Sequence, residues 1–465
     1  MLGDTIAAVS TPRGKGGVAL LRVSGDAAIA ISQKVFCAKN GAPLAEAPSR
    51  HALYGTILAP DDSGQFLPID DGIATIFRAP ASFTGEDTVE LCCHGGILLT
   101  EKVLSALFAA GAKPATAGEF TRRAFLNGKL GLSAAEALGL MLDAKTETQL
   151  TLAHTGMSGK LEAKIETIYA SLRRLLATVY AKIDYPDEDL ADLDDDAFLA
   201  ELEATNEKLE ALLATYHTGR SIAEGIATVI CGKPNAGKSS LYNKLVGRDA
   251  AIVTEIEGTT RDVLSEVVPC GKVTLRLYDT AGLRESVDPV ERIGIDRARA
   301  ALEDAELILA LFDGSRKPDE EDKALIQMLL PRKNAVIALV TKSDLWHRDN
   351  AVFALCKQHF DRVLAISTAS GAGLAELEQL VEATFVDGSI DLHTDPVLSN
   401  ARQYAAALGA KEALARAKES LLAGRATELV CSDVEIAMES LSELDGREVS
   451  EDIVSEIFSH FCVGK

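Results

Sequence analysis

Eight cysteines occur, Cys37, Cys92, Cys93, Cys231, Cys270, Cys356, Cys431 and Cys462, and no two of them form a C-x-x-C pair. That absence argues against a zinc site and against a disulfide framework, and reduced thiols in the cytoplasm fit best. No window holds the ~18 consecutive apolar residues that a membrane helix needs. The opening MLGDTIAAVSTP has neither the basic region nor the apolar core of a secretory leader. Positive charge is also scarce: 47 Lys and Arg face 69 Asp and Glu, a net charge of −22. A general nucleic-acid binder is disfavoured on that balance, so any RNA must be met through a local basic patch or a partner. The densest acidic run, Asp184 to Asp196, reads as a solvated helix end and linker. What remains is a globular composition, 47% hydrophobic and 25% charged over 465 residues, enough for about three domains.

Against this background one stretch carries chemistry. Val229 to Ser240 contains Gly232, Gly237, Lys238 and Ser239 in the order G-x-x-x-x-G-K-S, after an apolar strand pattern and before a helical one. A glycine-rich turn between strand and helix lets backbone N–H groups converge on a phosphate, with the positive end of the helix behind them. Asn235, Ala236, Gly237, Lys238, Ser239 and Ser240 are the expected contacts. Lys238 would reach the outer phosphates and Ser239 would bind magnesium.

Three later segments select the nucleotide. Leu275 to Tyr278 reads as a strand ending in Asp279, Thr280, Ala281 and Gly282, where a carboxylate can hold the metal through water and a glycine N–H can approach the last phosphate. Between the two lies EGTTRD, whose Thr260 could close over the metal. Val336 to Val340 leads into Thr341, Lys342, Ser343 and Asp344. Asp344 can accept from guanine's ring N–H and amino group, whereas adenine offers a lone pair at that ring position; a hydrogen bond to a charged group is worth about 1.5–3 kcal/mol. Leu364 to Ser367 leads into a loop able to cover the base, with Ser367, Thr368 and Ala369. The ordered set predicts a GTPase domain over residues 219–385, built on a parallel sheet with its phosphate site at the strand C-terminal ends.

Around this domain the patterns differ. Residues 1–118 read as α/β, with strands at Thr5–Val9, Val18–Val23, Gly72–Phe77 and Thr88–Cys92, a turn at Thr11–Gly17 and a helix at Ile97–Ala110. Arg22 is the only charge in its apolar strand, which fits either a surface edge or an anion ligand. His94 beside Cys92 and Cys93 lacks tetrahedral metal spacing. Residues 119–218 and 386–465 read as helical. Ser133 and Glu136 have capping-box spacing, and Leu161, Ile165, Ile168, Leu172, Leu175, Val179 and Ile183 form one apolar stripe, the mark of a bundle core. Arg122, Arg123 and Lys129 fall together in sequence, and SHFCVGK has the look of a frayed end. Two helical segments flanking a GTPase suggest a bundle into which that domain is inserted.

The segments DTIAAVSTPRGKGGVALLRVSG, SFTGEDTVELCCHGG, FTRRAFLNGKLGLSAAEA, GKPNAGKSSLYNKL, EGTTRDV, DTAGLRESVDPVERIGI and the terminal FCVGK together resemble the bacterial MnmE (TrmE) family of tRNA modification GTPases, over essentially the whole length. The resemblance implies an N-terminal α+β folate-binding and dimerisation domain (1–118), a helical domain in two parts (119–218 and 386–465) and an inserted Ras-like P-loop GTPase domain (219–385). It implies a cytoplasmic homodimer that works with the FAD-dependent partner MnmG on tRNA, adding an aminomethyl or carboxymethylaminomethyl group to carbon 5 of the wobble uridine. Methylene-tetrahydrofolate would supply the carbon. Arg22, Glu90, Lys129 and Lys465 match the family's folate contacts, and Cys462 matches a cysteine near that site.

The same resemblance supplies a hydrolytic device. The residue after Gly282 is Leu283, which cannot orient a water molecule as the glutamine of Ras does. The family uses a potassium ion instead, matched here by Asn235 and by backbone oxygens at Thr254, Ile256 and Thr259, with Thr254, Thr259 and Thr260 in the nucleotide loop. Glu291 matches the glutamate that orients the attacking water through a second water. Two departures stand out. Thr341 replaces the family's asparagine, which is expected to loosen nucleotide binding, and Thr368 and Ala369 replace Ala-Lys or Ala-Arg beside the base. The rival readings are a GTP switch in ribosome assembly or signalling without modification chemistry, and a folate-dependent transferase acting on a small molecule.

Overall fold

The computed structural model describes residues 3–184, 195–247, 265–278, 302–332, 335–346, 350–447 and 449–464. The chain forms two compact units, Met1–Gly139 with Leu441–Lys465, and Leu140–Ser440.

The first unit is built on β1 (Ile6–Val9), β2 (Val18–Ser24), β3 (Phe36–Ala38), β4 (His51–Pro60), β5 (Phe66–Phe77), β6 (Thr88–His94) and β7 (Lys113–Pro114). These join in one seven-stranded sheet of order β3-β4-β5-β6-β2-β1-β7. Every pairing is antiparallel except that of β1 with β7. The two-residue period of a strand separates its faces. In β2, Ala19, Leu21 and Val23 are buried, while Val18 is exposed and Leu20 and Arg22 are half-buried. The inner face meets the helices Ala28–Val35 and Ile97–Ala110 in a core that includes Ile57, Ile76, Val89, Leu91 and Leu107.

A polar cluster closes this unit at one side. Arg123, on the helix Glu119–Leu126, is only 1% exposed. Its guanidinium donates to the Asp4 carbonyl at 2.9 Å, to Glu86 at 3.0 Å and to Glu119 at 2.8 Å. Glu86 also accepts from Ser24 Oγ at 2.8 Å, and Ser24 shares a 2.7 Å hydrogen bond with Thr84. Asn127 Nδ2 donates to the Thr84 carbonyl at 2.7 Å. The sequence SFTGED is therefore a loop held at several points, and Arg123 turns inward as its pin. Of Arg122, Arg123 and Lys129, which fall together in sequence, Arg123 is thus committed to the interior, since a buried guanidinium must be spent on its carboxylates.

Two local expectations also change. Ser133 is the second residue of the helix Leu132–Asp143, past the position where a hydroxyl can cap, and its Oγ donates instead to the Leu444 carbonyl at 3.1 Å. Capping boxes form at Thr146–Gln149 and Asp319–Asp322. The carboxyl-terminal tail is docked rather than frayed: Val463 bridges to Ala117, and Ser10 Oγ donates to the Gly464 carbonyl at 3.0 Å. At Gly464, φ is 101° and a Cβ would meet the Val9 carbonyl oxygen, so glycine is required there.

In the second unit the stripe expected from the sequence is buried from Leu161 through Val179 on the helix Lys160–Asp184. The helix Asp195–Ala214 packs against Ala401–Leu422, where Ala406, Ala407, Ala410, Ala413 and Ala417 let the backbones approach closely. The unit's sheet comprises β8 (Ile226–Gly232), β9 (Ser265–Cys270), β10 (Val273–Tyr278), β11 (Leu307–Asp313), β12 (Ala335–Thr341) and β13 (Val363–Ala365). Its order is β13-β12-β11-β8-β10-β9, all parallel apart from the β9–β10 hairpin. The chain runs into this sheet and leaves it side by side. Leu398 N donates to Thr215 Oγ1 at 3.1 Å and Asp387 N to Thr218 Oγ1 at 2.9 Å, and a Cβ on Gly219 would meet the Leu398 carbonyl oxygen.

Replacing Arg123 with Met should lower the stability of the first unit by about 3–5 kcal/mol, because Glu86 and Glu119 would lose their buried partner. Chemical denaturation of the whole chain measures this, and an unchanged midpoint would show that the cluster does not pin the loop.

Candidate nucleotide site

Parallel strands must end on the same edge, so the loops after β8, β11, β12 and β13 meet there. After β8 the chain turns through Lys233, Pro234, Asn235, Ala236 and Gly237 and becomes helical at Lys238. Asn235 has φ 62° and Gly237 φ 98°, left-handed values that bend the loop sharply. Gly237 is the N-cap and offers no side chain to the first turn of the helix Lys238–Val246. The amide groups that a capping residue would satisfy are thus left for an outside acceptor, the requirement for binding a phosphate. Asn235, Ser239 and Ser240 are exposed on this rim, while Ala236 is buried beneath it. Lys238 Nζ arches over the loop, donating to the Gly232 carbonyl at 2.7 Å and the Lys233 carbonyl at 2.8 Å.

The base side of the edge is tied to this loop. Thr341, at the end of β12 and 2% exposed, lies 2.8 Å from the Ala236 carbonyl and 3.2 Å from the Phe312 carbonyl through its Oγ1. With threonine at this position the base loop is therefore still tied to the phosphate loop. A hydroxyl has one proton, so it serves the two carbonyls in turn, whereas an amide has two. Lys342 follows with φ 58° and places its Nζ 2.6 Å from Asp313 Oδ2. Burial acts to raise the Asp313 pKa; Lys342 and Ser315 outweigh it and leave the carboxyl below its ordinary value. Asp344 is exposed, with Oδ1 accepting from Ser367 Oγ at 2.6 Å. Ser367 is itself buried and braced by the amide of Ser370 at 3.2 Å. One carboxylate oxygen is held and the other is left to face a ligand. Thr368 is half-buried and Ala369 exposed beside it.

Several contributors lie outside the motifs read from sequence. Asp313 closes the apolar run of β11, and a run of six apolar residues before Asp-Gly-Ser was the available signal for it. Trp346 Nε1 donates to the Thr341 carbonyl at 3.2 Å and packs where Gly314 has no Cβ. Thr254, Ile256, Thr259, Thr260, Asp279, Thr280, Ala281, Gly282, Leu283 and Glu291 lie outside the described residues, as does Lys465.

In the first unit Arg22 and Glu90 are cross-strand partners on β2 and β6. Arg22 Nε and an Nη both donate to Glu90 Oε1, at 3.0 and 2.8 Å, and the guanidinium lies 5.2 Å from the Phe83 ring and 5.7 Å from the Phe120 ring. This leaves the second Glu90 oxygen for another donor. Lys129 lies with its stem against Gly85, so it borders the same SFTGED loop. Cys462 is exposed, and the docked tail brings Gly464 to Ser10, one residue beyond the Val9–Leu21 pair. His94, by contrast, pairs its Nδ1 with Asp70 at 2.7 Å.

Substituting Thr341 with Val keeps the volume and removes the hydroxyl. It should cost about 1–2 kcal/mol of stability by leaving buried carbonyls without a donor, with Thr341→Ser retaining most of it. Equal denaturation midpoints for the three proteins would sink the tie.

The family model described as the MnmE helical domain matches residues 132–462, and that described as the N-terminus of the GTP-binding protein TrmE matches residues 5–129. The tRNA modification GTPase MnmE of Acetivibrio thermocellus is 38% identical over 464 residues, 99% of each chain. Its counterpart from Lactobacillus delbrueckii subsp. bulgaricus is 39% identical over 462 residues, 99% of this chain and 98% of that one. That of Geobacter metallireducens is 39% identical over 469 residues and covers 100% of both. With a P-loop, an aspartate-bearing base loop and similarity along the full length, the chain belongs to the MnmE (TrmE) family of tRNA modification GTPases.

Proposed function

We propose that this enzyme is a potassium-activated GTP hydrolase that acts, with the FAD-dependent partner MnmG, on carbon 5 of the wobble uridine of certain tRNAs, using a tetrahydrofolate one-carbon donor. The observation that carries the nucleotide half of this reading is the uncapped helix start at Gly237, with Lys238 arched over it and Asp344 held on the same strand edge. Lys238 and the amides of residues 236–240 bind the phosphates, Ser239 and Thr260 take magnesium, and Asp344 selects guanine. Asn235 stands exposed on the rim of the loop, where its neutral amide oxygen suits a large monovalent cation. Thr254, Ile256 and Thr259 complete that shell, and Glu291 orients water. A cation held there would supply the positive charge that an arginine finger supplies in other GTPases.

The folate half rests on Arg22 and Glu90. A cation inside an otherwise apolar strand, paired through one oxygen of its carboxylate and flanked by two aromatic rings, suits a flat anionic ligand. Lys129 and Lys465 are further anion contacts, and Cys462 stands near the one-carbon unit. The domains follow as 1–118, 119–218 with 386–465, and an inserted 219–385, the last supported by the adjacent crossings at Thr215 and Leu398. The working form is a cytoplasmic homodimer in which GTP drives a conformational change sensed at the folate site.

GTP turnover by the full chain in potassium chloride should exceed that in sodium chloride at equal ionic strength by about tenfold or more. Asn235→Gly should abolish the difference; glycine is chosen because the backbone at φ 62° would strain alanine. Equal rates in both salts would remove the cation from the reaction. For the folate site, 5-formyl-tetrahydrofolate should bind the wild type and bind Arg22→Gln at least about tenfold more weakly in calorimetry. Identical affinities would move the ligand elsewhere.

A further inference from the structure

We infer that Lys233 is a positioning residue for the phosphate loop, tying it to the start of the helix Glu320–Leu329 and so holding Lys238 where a polyphosphate is met. The inference rests on the GTP reading and adds a residue that the phosphate-loop motif leaves unspecified. Lys233 works from both ends. Its carbonyl accepts from Lys238 Nζ at 2.8 Å and from the Ala236 amide at 3.2 Å, so its peptide fixes both the lysine and the turn. Its side chain points the other way, with Nζ 2.6 Å from Asp319 Oδ1, 2.9 Å from Glu321 and 3.9 Å from Asp322.

The receiving end is rigid. Asp319 caps the helix, accepting from the amides of Glu321 and Asp322 at 3.1 Å, and Asp322 Oδ2 in turn accepts from the Asp319 amide at 3.0 Å. Asp322 is fully buried, and Arg316 holds both its oxygens at 2.8 and 2.9 Å. The Lys233 ammonium is the largest influence keeping Asp319 at about 2, so the pair is charged at any working pH.

An isolated surface ion pair would matter little. Here the lysine side chain is only 16% exposed and the partner carboxylates belong to an interlocked cap. Charge gives a second reason. Three carboxylates next to a phosphate-binding loop would oppose a polyanion, and Lys233 and Arg316 offset two of those three charges in place.

The test is binding of the fluorescent nucleotide mant-GDP by the full chain. Lys233→Met should weaken it about tenfold. Asp319→Asn should do the same, because an asparagine oxygen still caps the helix but carries no charge for the lysine. The double variant should be no weaker than either single one, since both remove one interaction. Lys233→Arg should restore binding. Affinities unchanged from a wild type that binds would overturn the positioning role alone, as would additive losses in the double variant. A wild type that fails to bind mant-GDP would overturn the nucleotide reading and this role together.

Discussion

Parallel pairing in the second unit's sheet is the constraint on which the nucleotide site depends. β8, β10, β11, β12 and β13 run in one direction, so every loop leaving a C-terminal end arrives on one edge. None of the chemical groups would meet otherwise: the phosphate loop follows β8, Asp313 ends β11, Thr341 ends β12 and Ser367 lies just past β13. The sheet interior fixes the spacing. Leu307 through Leu311 on β11 are fully buried between β8 and β12, leaving that strand no freedom to slide. Within this frame the site is held together by single polar atoms. Thr341 joins base loop to phosphate loop, Ser367 aims Asp344, and Lys342 meets Asp313.

The first unit solves a different problem, since its sheet is antiparallel at every pairing but one and its loops do not converge by topology. A buried arginine does the gathering. Arg123 draws Glu86, Glu119 and the Asp4 carbonyl to one point, and Ser24, Thr84 and Asn127 extend the network along the SFTGED loop. Every charge in the cluster has a partner, which is the condition for burying it without a large penalty. The outer face of β2 and β6 is thereby presented with Arg22 and Glu90 already paired.

The nucleotide loops were legible in the sequence because their chemistry is local: glycines, a lysine and an aspartate at fixed spacing after apolar runs. The helix Ile97–Ala110 was legible and matches to the residue. Five strands went unread, of which β3 and β7 are only three and two residues long. β4 and β9 are interrupted by glycine, proline and polar residues, and β11 is so uniformly apolar that no alternation marks it. Long-range polar contacts were the other blind spot. Nothing in the order of residues says that Ser133 meets Leu444, that Arg123 is buried, or that Lys233 reaches Asp319 eighty-six positions away.

The paired crossings at Thr215–Leu398 and Thr218–Asp387 carry a consequence for how this chain can be cut and rejoined. Two points far apart in sequence are already neighbours, so the entropy of bringing the ends of the intervening segment together has been met in the fold. A short peptide joining those points would close the nucleotide half into a ring without stretching it. New termini could then be opened in an exposed turn elsewhere. The same adjacency also means that the insertion disturbs its host at one place rather than two, which is what allows a bundle to be written in two halves and still fold as one.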